Sequence, residues 1–353
     1  MIRFGDYLWR SRRAFNSVGD WAVARGCPSA LKPLPALQPS SPAGVEIEPG
    51  RWHLAELPQG KVVGDLRLAV TAEDEVLGQL QALHGIADPA AHWVTRQLRL
   101  RRPWRLRGAV VTLAAAAGAN YYHWLFDSVP RFHLLRLSGM DLESVDFFLI
   151  NESDRTFDLD SLQMLGIPAE RTFRCSKRQI IVAERLFVPP MPTPLPGQIA
   201  PWVCEFLRAS FLSKARPTAR GARLYLSRRS SPKRPLANEA QVELFFREHG
   251  FKSIQLETLS FREQVETFAG VAFVAGPHGA GFANLVFAPP NTRIIELFHP
   301  KHQIKLYENL ATGLGMRYQS VIGVAPNENR PAGSEKLGPY TVELDQIKKL
   351  LDH

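Results

Sequence analysis

The sequence predicts an α/β protein made of two Rossmann-like, doubly wound domains, and three observations predict it. The chain has 353 residues, 45 % hydrophobic and 22 % charged, an ordinary globular composition with enough length for two separate cores. From residue 109 onward, apolar runs of strand length alternate with helical patterns, the arrangement of a parallel sheet covered by helices. Two such series are separated by residues 189–201, where six of thirteen residues are proline and neither helix nor strand interior is favoured. The expected partition is residues 1–60, a basic aromatic segment and Pro-rich linker; 61–200, a first α/β domain; and 201–353, a second, nucleotide-binding Rossmann-like domain.

In residues 1–25, Phe4, Tyr7, Trp9, Phe15 and Trp21 are interspersed with Arg3, Arg10, Arg12, Arg13 and Arg25. Such a helix would either lie on an anionic membrane surface or pack on its own domain. Residues 27–58 are rich in proline and serine and read as a linker or covering segment. Strands are expected at 109–116, 145–150 and 180–188, with helices at 121–137 and 159–165. Pro189 and Pro190 stop the last of these strands, and a helix over 202–214 completes the crossing. The second series runs strand 223–227, helix 238–249 capped by Asn238, and strand 253–256. Ser260 and Glu263 have capping-box spacing ahead of a helix ending at Ala269. Strand 271–275, the turn GPHGAG, a short helix 283–287 and strand 293–298 complete the unit.

The excess of 43 Lys and Arg over 34 Asp and Glu gives a net charge of +9, which favours anionic partners such as nucleotides or phospholipids. Three widely spaced cysteines, Cys27, Cys175 and Cys204, support neither a disulfide framework nor a zinc knuckle and suit a reducing compartment. No apolar run approaches the roughly 20 residues needed to span a bilayer, and the first residues lack a signal-peptide core. A cytoplasmic location is expected.

Strand 271–275 feeds directly into Gly276, Pro277, His278, Gly279, Ala280 and Gly281, at the sheet edge where parallel folds bind ligands. Glycine there admits close backbone approach, and the amides opening the next helix attract anions. Strand 223–227 ends in Arg228 and Arg229, whose planar donors can meet a diphosphate; a solvated basic loop is the alternative. Glu296, at the end of its strand, could accept from sugar hydroxyls or pair with an arginine. In NYYHWLFDSVPRFHLLRL, His123 and Asp127 are four residues apart and share a helix face, as an acceptor-deprotonating pair would. Asn120 as a plain helix cap and an Asp127–Arg131 pair form the alternative.

These residues resemble glycosyltransferase family 61. The likeness is carried by NYYHWLFDSVPRFHLL at 120–135, YLSRRSSPKRPLANEAQV at 225–242, and LSFREQVETFAGVAFVAGPHGAGFANLVFAPPNTRIIELF at 259–298, in the family's order and over roughly residues 105–320. Phe282 departs from the aliphatic residue often found there. The resemblance implies a GT-B-like fold, two Rossmann-like domains facing each other across a cleft. It further implies inverting, metal-independent transfer from a nucleotide-sugar donor to a glycan, lipid-linked or protein acceptor, in bacterial capsule or exopolysaccharide assembly. No cofactor beyond the co-substrate is expected, and membrane contact is at most peripheral, through residues 1–25. By the resemblance, Arg228, Arg229, His278, Gly279, Ala280 and Gly281 hold the donor, and Asn284 and Glu296 shape its pocket. Asp127, or alternatively His123, takes the acceptor proton, with Asn120 and Arg131 beside them.

The chemistry agrees with this assignment, because fixed cations and amides aimed at a departing diphosphate stabilise the transition state more than the ground state. The chain has no compact cluster of His, Cys and carboxylates. A nicotinamide dehydrogenase would place G-x-G-x-x-G early, whereas GPHGAG is late and carries histidine. No finger, recognition helix or aromatic RNA motif supports a nucleic-acid partner. A non-catalytic nucleotide-sugar-binding partner in polysaccharide assembly is the competing reading.

Overall fold

A computed structural model describes residues 6–9, 13–15, 17–34, 53–64, 67–77, 98–192, 197, 199–218, 220–326 and 337–351. The chain divides into two compact units, Met1–Phe206 and Leu207–His353.

The first unit opens with β1 (Asp6–Trp9), β2 (Arg13–Phe15), α1 (Val18–Arg25), β3 (Leu31–Pro33), β4 (His53–Pro58), β5 (Lys61–Val63), β6 (Leu68–Val70) and β7 (Glu75–Leu77). It continues through β8 (Leu98–Arg101), β9 (Trp104–Thr112), α2 (Tyr121–His123), α3 (Pro130–Leu137), β10 (Phe147–Asn151), α4 (Phe157–Met164), β11 (Thr172–Cys175) and β12 (Ile180–Val188). Helix α5 (Pro201–Phe211) carries the chain across the boundary between the units. Strands β9 to β12 are parallel neighbours in the order β11-β10-β9-β12, so the first of them lies inside and the order reverses beside it. Their apolar sequences suit burial on both faces, and Val110, Val111, Leu149, Ile150, Ile181 and Leu186 are all fully buried.

The doubly wound pattern stops at β12. On its other side β4 and β5 pair antiparallel, and β6 and β7 follow as an antiparallel meander closed by β2. β4 runs on into β5 along β12, and the connections of a few residues after β5 and β6 cannot make parallel crossovers, so β5 to β7 fold back as hairpins. β4 lies inside the stretch expected to be a linker: Leu54, Ala55 and Leu57 are buried against the sheet, and residues 35–52 fall outside the described set.

The helix expected over residues 1–25 is not what forms. β1 pairs with β8 and β2 with β7, so long-range strand pairing overrides the local aromatic and basic pattern. Among the described residues of this segment only α1 is helical, capped by Ser17 and closed by Gly26 in the left-handed region (φ 64°), and its Trp21 and Ala22 are buried in the unit's core.

The second unit is more regular. It contains β13 (Ala222–Leu226), α6 (Glu239–Glu248), β14 (Lys252–Ile254), α7 (Phe261–Phe268), β15 (Val271–Pro277), β16 (Arg293–Phe298), α8 (Leu306–Gly313), β17 (Arg317–Ile322) and α9 (Leu344–Leu351). All five strands are parallel in the order β14-β13-β15-β16-β17, and the winding reverses between β13 and β15. Tyr225, Phe246, Phe251, Phe273 and Ile295 build the core beneath this sheet. The capping box forms as expected, with Ser260 and Glu263 bonding reciprocally. Asn238 occupies the N-cap position of α6, but its side chain makes no cap bond; the amide is spent on Val342, donating to its carbonyl at 2.9 Å and accepting from its N–H at 3.2 Å.

Candidate functional site

In the first unit, β9 ends beside the reversal of strand order, where an open parallel sheet binds ligands. The turn that follows is held by Asn151 at the end of β10, which donates to Ala115 O at 2.9 Å and accepts from Ala115 N–H at 3.1 Å. A Cβ on Gly118 would stand 2.3 Å from Asn151 Oδ1, so this bracket closes only over glycine. Asn120 then caps the helix by accepting from Tyr122 N–H at 2.9 Å, its role in the bland alternative. The helix expected over 121–137 is interrupted: Trp124–Ser128 adopts π geometry, with Val129 N–H bonding to Trp124 O at 2.9 Å. A π turn inside an α-helix is frequently a functional position.

His123 Nδ1 lies 2.7 Å from Asp127 Oδ2, with the two side chains 26 % and 6 % exposed. The carboxylate accepts from the ring N–H, which makes Nε2 the ring's proton acceptor. Arg131 is buried behind them, donating to Ala114 O at 3.3 Å and to Met191 Sδ. Burial brings its pKa down to about 10, and the charge of Asp127 acts against that fall. Burial, and then the same charge, pushes the Tyr122 hydroxyl up. The structure therefore brings Asn120, His123, Asp127 and Arg131 to one place, with Asp127 joined to the histidine.

In the second unit, Arg228 follows β13 and the turn from Gly276 to Gly281 begins in the last residues of β15, on the two sides of the switch point. Arg228 donates to the carbonyl of His278 and, at 2.8 Å, to Ser231 Oγ, and its own N–H is held by Glu239 Oε1 at 2.7 Å. A Cβ on Gly279 would lie 2.9 Å from Arg228 Nε, so a side chain there would displace the guanidinium from its place across the turn. Gly276, at φ 155° with Leu226 O 2.6 Å from a notional Cβ, serves the same close approach. Burial lowers the Arg228 pKa while Tyr340 and Glu239 oppose the shift. Gly279, Ala280 and Gly281 stand ahead of the first internal bond of the 3₁₀ helix Ala280–Phe287, from Phe282 N–H to Gly279 O at 3.1 Å. Their amides open the anion-attracting end of that helix.

His278 is 8 % exposed, and its Nδ1 lies 2.5 Å from Glu296 Oε1. The other oxygen of Glu296 accepts from Tyr318 at 2.6 Å, and the carboxylate is fully buried. Burial and then Glu296 push the Tyr318 hydroxyl upward. Asn284 is fully buried too and donates to Gln264 Oε1 at 2.9 Å and Gly281 O at 3.2 Å, tying the turn to α7. Arg229 stands apart from this group: 48 % exposed, it pairs with Glu243 on α6 at 2.7 Å.

The sequence blocks that carry these two constellations also carry a family match. The Glycosyltransferase 61 family model matches residues 121–295, from the start of α2 into β16. The chain belongs to glycosyltransferase family 61. Membership implies glycosyltransferase activity, with a sugar donor and a glycan acceptor in general. No curated protein matches the chain significantly. Among the described residues no helix is long and apolar enough to cross a membrane.

Two neighbours of the family 61 turn escaped the sequence reading, Tyr318 and His302. Tyr318 is set beside Glu296 by the parallel register of β16 and β17, where Ser320 faces Glu296 and Tyr318 lies two residues before it. His302 follows the carboxyl end of β16, and its ring lies 5.2 Å from that of His278. Both lie past residue 295, outside the matched range. The signal for His302 was available: histidines in a loop leaving the ligand edge of a parallel sheet.

Proposed function

We propose that this family 61 member is an inverting, metal-independent glycosyltransferase that moves a hexosyl or pentosyl group from a nucleotide sugar to an acceptor hydroxyl. The donor diphosphate would be held in the second unit. The reading is carried by one observation, the meeting of Arg228, His278 and the amides of Gly279 to Gly281 at the topological switch of a five-stranded parallel sheet. As the glycosidic bond to the diphosphate breaks, charge grows on the departing oxygen, and these fixed donors meet it without reorganising. Glu296 is a positioning residue: it fixes the His278 ring, and Tyr318 fixes Glu296. Asn284 likewise positions the turn.

On the acceptor side His123 Nε2 takes the hydroxyl proton and Asp127 orients the ring, since the carboxylate is the more buried of the two and already accepts from Nδ1. The acceptor is a glycan, lipid-linked or protein hydroxyl, and cell-surface polysaccharide assembly at the cytoplasmic side of an envelope is the process proposed. The test is thermal shift and calorimetric titration against a panel of nucleoside diphosphates and nucleotide sugars, with EDTA present. Selective stabilisation by one nucleotide, lost in Arg228→Ala, is expected. Binding that appears only when a divalent metal is restored would sink the metal-independent assignment, and binding by no member of the panel would sink the transferase reading.

A further inference from the structure

His302 is a buried polar group beside the donor turn that the proposed chemistry leaves unused. It is 9 % exposed, and its Nδ1 has no hydrogen-bond partner among the described residues. Buried ring nitrogens are ordinarily bonded, and one that is not asks what fills the place. The groups facing it come from each neighbouring segment and are basic: Arg234 beyond β13, His278 beyond β15, His299 beyond β16, and Arg228 across the turn. The buried carboxylate Glu296 on the sheet edge has a protein donor on each oxygen, His278 and Tyr318. A partnerless nitrogen among these basic side chains fits an anionic oxygen.

We propose that His302 is a ligand of the donor diphosphate, its Nδ1–H donating to a phosphate oxygen held among Arg228, Arg234 and His278, and that it gains a proton from solvent as the anion binds. This rests on the second unit being the diphosphate site. In the free protein, burial and then the charges of Arg234, His278, His299 and Arg228 bring the His302 pKa down to about 4, so the ring is neutral at physiological pH. A bound diphosphate reverses the sign of the local field and favours the imidazolium. One proton enters from water when the anion arrives and returns to water when the nucleoside diphosphate leaves. Binding is therefore tighter at low pH, between the ring's midpoint in the free protein and its higher midpoint in the complex. The same proton makes release easier as pH rises.

The experiment is calorimetric titration of the full chain with inorganic pyrophosphate at pH 6 and pH 8, each in two buffers of different ionisation enthalpy. The variants are His302→Asn, which keeps an N–H but cannot titrate, and His302→Leu, which has neither, with Arg228→Ala in parallel. His302→Leu is expected to weaken binding at least tenfold at pH 6. His302→Asn should keep more affinity and take up fewer protons per pyrophosphate than the wild type. If both His302 variants bind within twofold of wild type with unchanged proton uptake while Arg228→Ala loses binding, the His302 assignment falls and the diphosphate site stands. If the wild type does not bind pyrophosphate, or Arg228→Ala binds as the wild type does, the site and His302 with it are wrong. Should the His302 variants not fold, histidine-ring NMR of the wild type decides. A resonance with its midpoint near pH 4 must move above pH 6 when pyrophosphate is added, and an unmoved midpoint overturns the proposal.

Discussion

Adjacent arginines do unequal work here, because they leave the end of β13 toward different partners. Arg228 lies across the glycine turn and holds the His278 carbonyl, whereas Arg229 is half exposed and paired with Glu243 on α6. Exposed ion pairs contribute about 0–1 kcal/mol, and Arg229 is not aimed at the turn. Arg228→Ala should therefore weaken nucleoside diphosphate binding by tenfold or more, and Arg229→Ala by less than threefold, in calorimetric titration. Equal losses would mean that the guanidinium of Arg229 swings onto the ligand. The His123–Asp127 pair gives a second contrast. An Asn in place of Asp127 no longer fixes the ring tautomer, and a Gln in place of His123 removes the proton acceptor. Each single change should cut turnover by about 10²-fold or more while nucleotide affinity stays near wild type, and the double variant should lose little further. Full activity in His123→Gln would return the base role to Asp127 alone. Acid stability carries the mark of one more residue, His302, whose pKa of about 4 in the folded chain lies below its ordinary 6.5. The unfolded chain then binds that proton first, so this contribution to stability is whole above pH 6.5 and is lost as pH drops toward 4. The loss of melting temperature between pH 7 and pH 5 should be smaller in His302→Asn than in the wild type.

At the scale of elements, what the sequence disclosed was what local pattern can encode. The capping box at Ser260, the glycine turn after β15 and the alternation of the second unit all depend on residues within a few positions of each other, and all appear where expected. Pairing partners far apart in sequence were not legible. β2 joins β7 and β4 joins β12 through contacts that no single stretch reveals, and so a helix was expected over 1–25 and a linker over 27–58. The candidate site divides the same way. His123, Asp127, Arg228 and His278 were visible as motifs, while Tyr318 depends on the register of two strands. The π turn at Trp124–Ser128 has no compositional mark, and the helix reading ran straight through it. The turns themselves are the sensitive elements. Gly118→Ala pushes a methyl group against Asn151 Oδ1 and should loosen the 113–120 turn, lowering turnover more than stability. Gly276→Ala meets the backbone oxygen of Leu226 at 2.6 Å and a φ of 155°, with neither able to give. A loss of about 1–3 kcal/mol or more is expected, measured by denaturant unfolding, together with weakened nucleotide binding. A Gly276→Ala protein of wild-type stability would show that the turn can shift.

At the scale of the whole molecule, the boundary between the two units falls inside α5 and not in the proline-dense stretch before it. The first part of the helix belongs to the first unit: His133 stacks on Trp202 and Phe206, with ring centroids 5.7 and 4.9 Å away. The last turns belong to the second. Arg208 donates to Val286 O at 2.8 Å and Ala288 O at 2.9 Å, satisfying carbonyls at the end of the 3₁₀ helix that follows the glycine turn. Phe211 is fully buried, 4.9 Å edge-on from Phe261 and 6.1 Å from Phe287. The glycine turn is thus supported by a helix that a division at its proline-rich side would keep and a division after it would remove. A fragment of residues 199–353 should melt cooperatively and bind pyrophosphate on its own. A fragment of residues 216–353 loses Phe211, worth about 3–5 kcal/mol by analogy with large-to-small core changes, together with both Arg208 bonds. Its melting temperature should fall by more than about 10 °C, with weaker binding, as circular dichroism and calorimetry would record. Equal stability of the two fragments would show that α5 only connects the units, and that the turn is held by its own sheet alone.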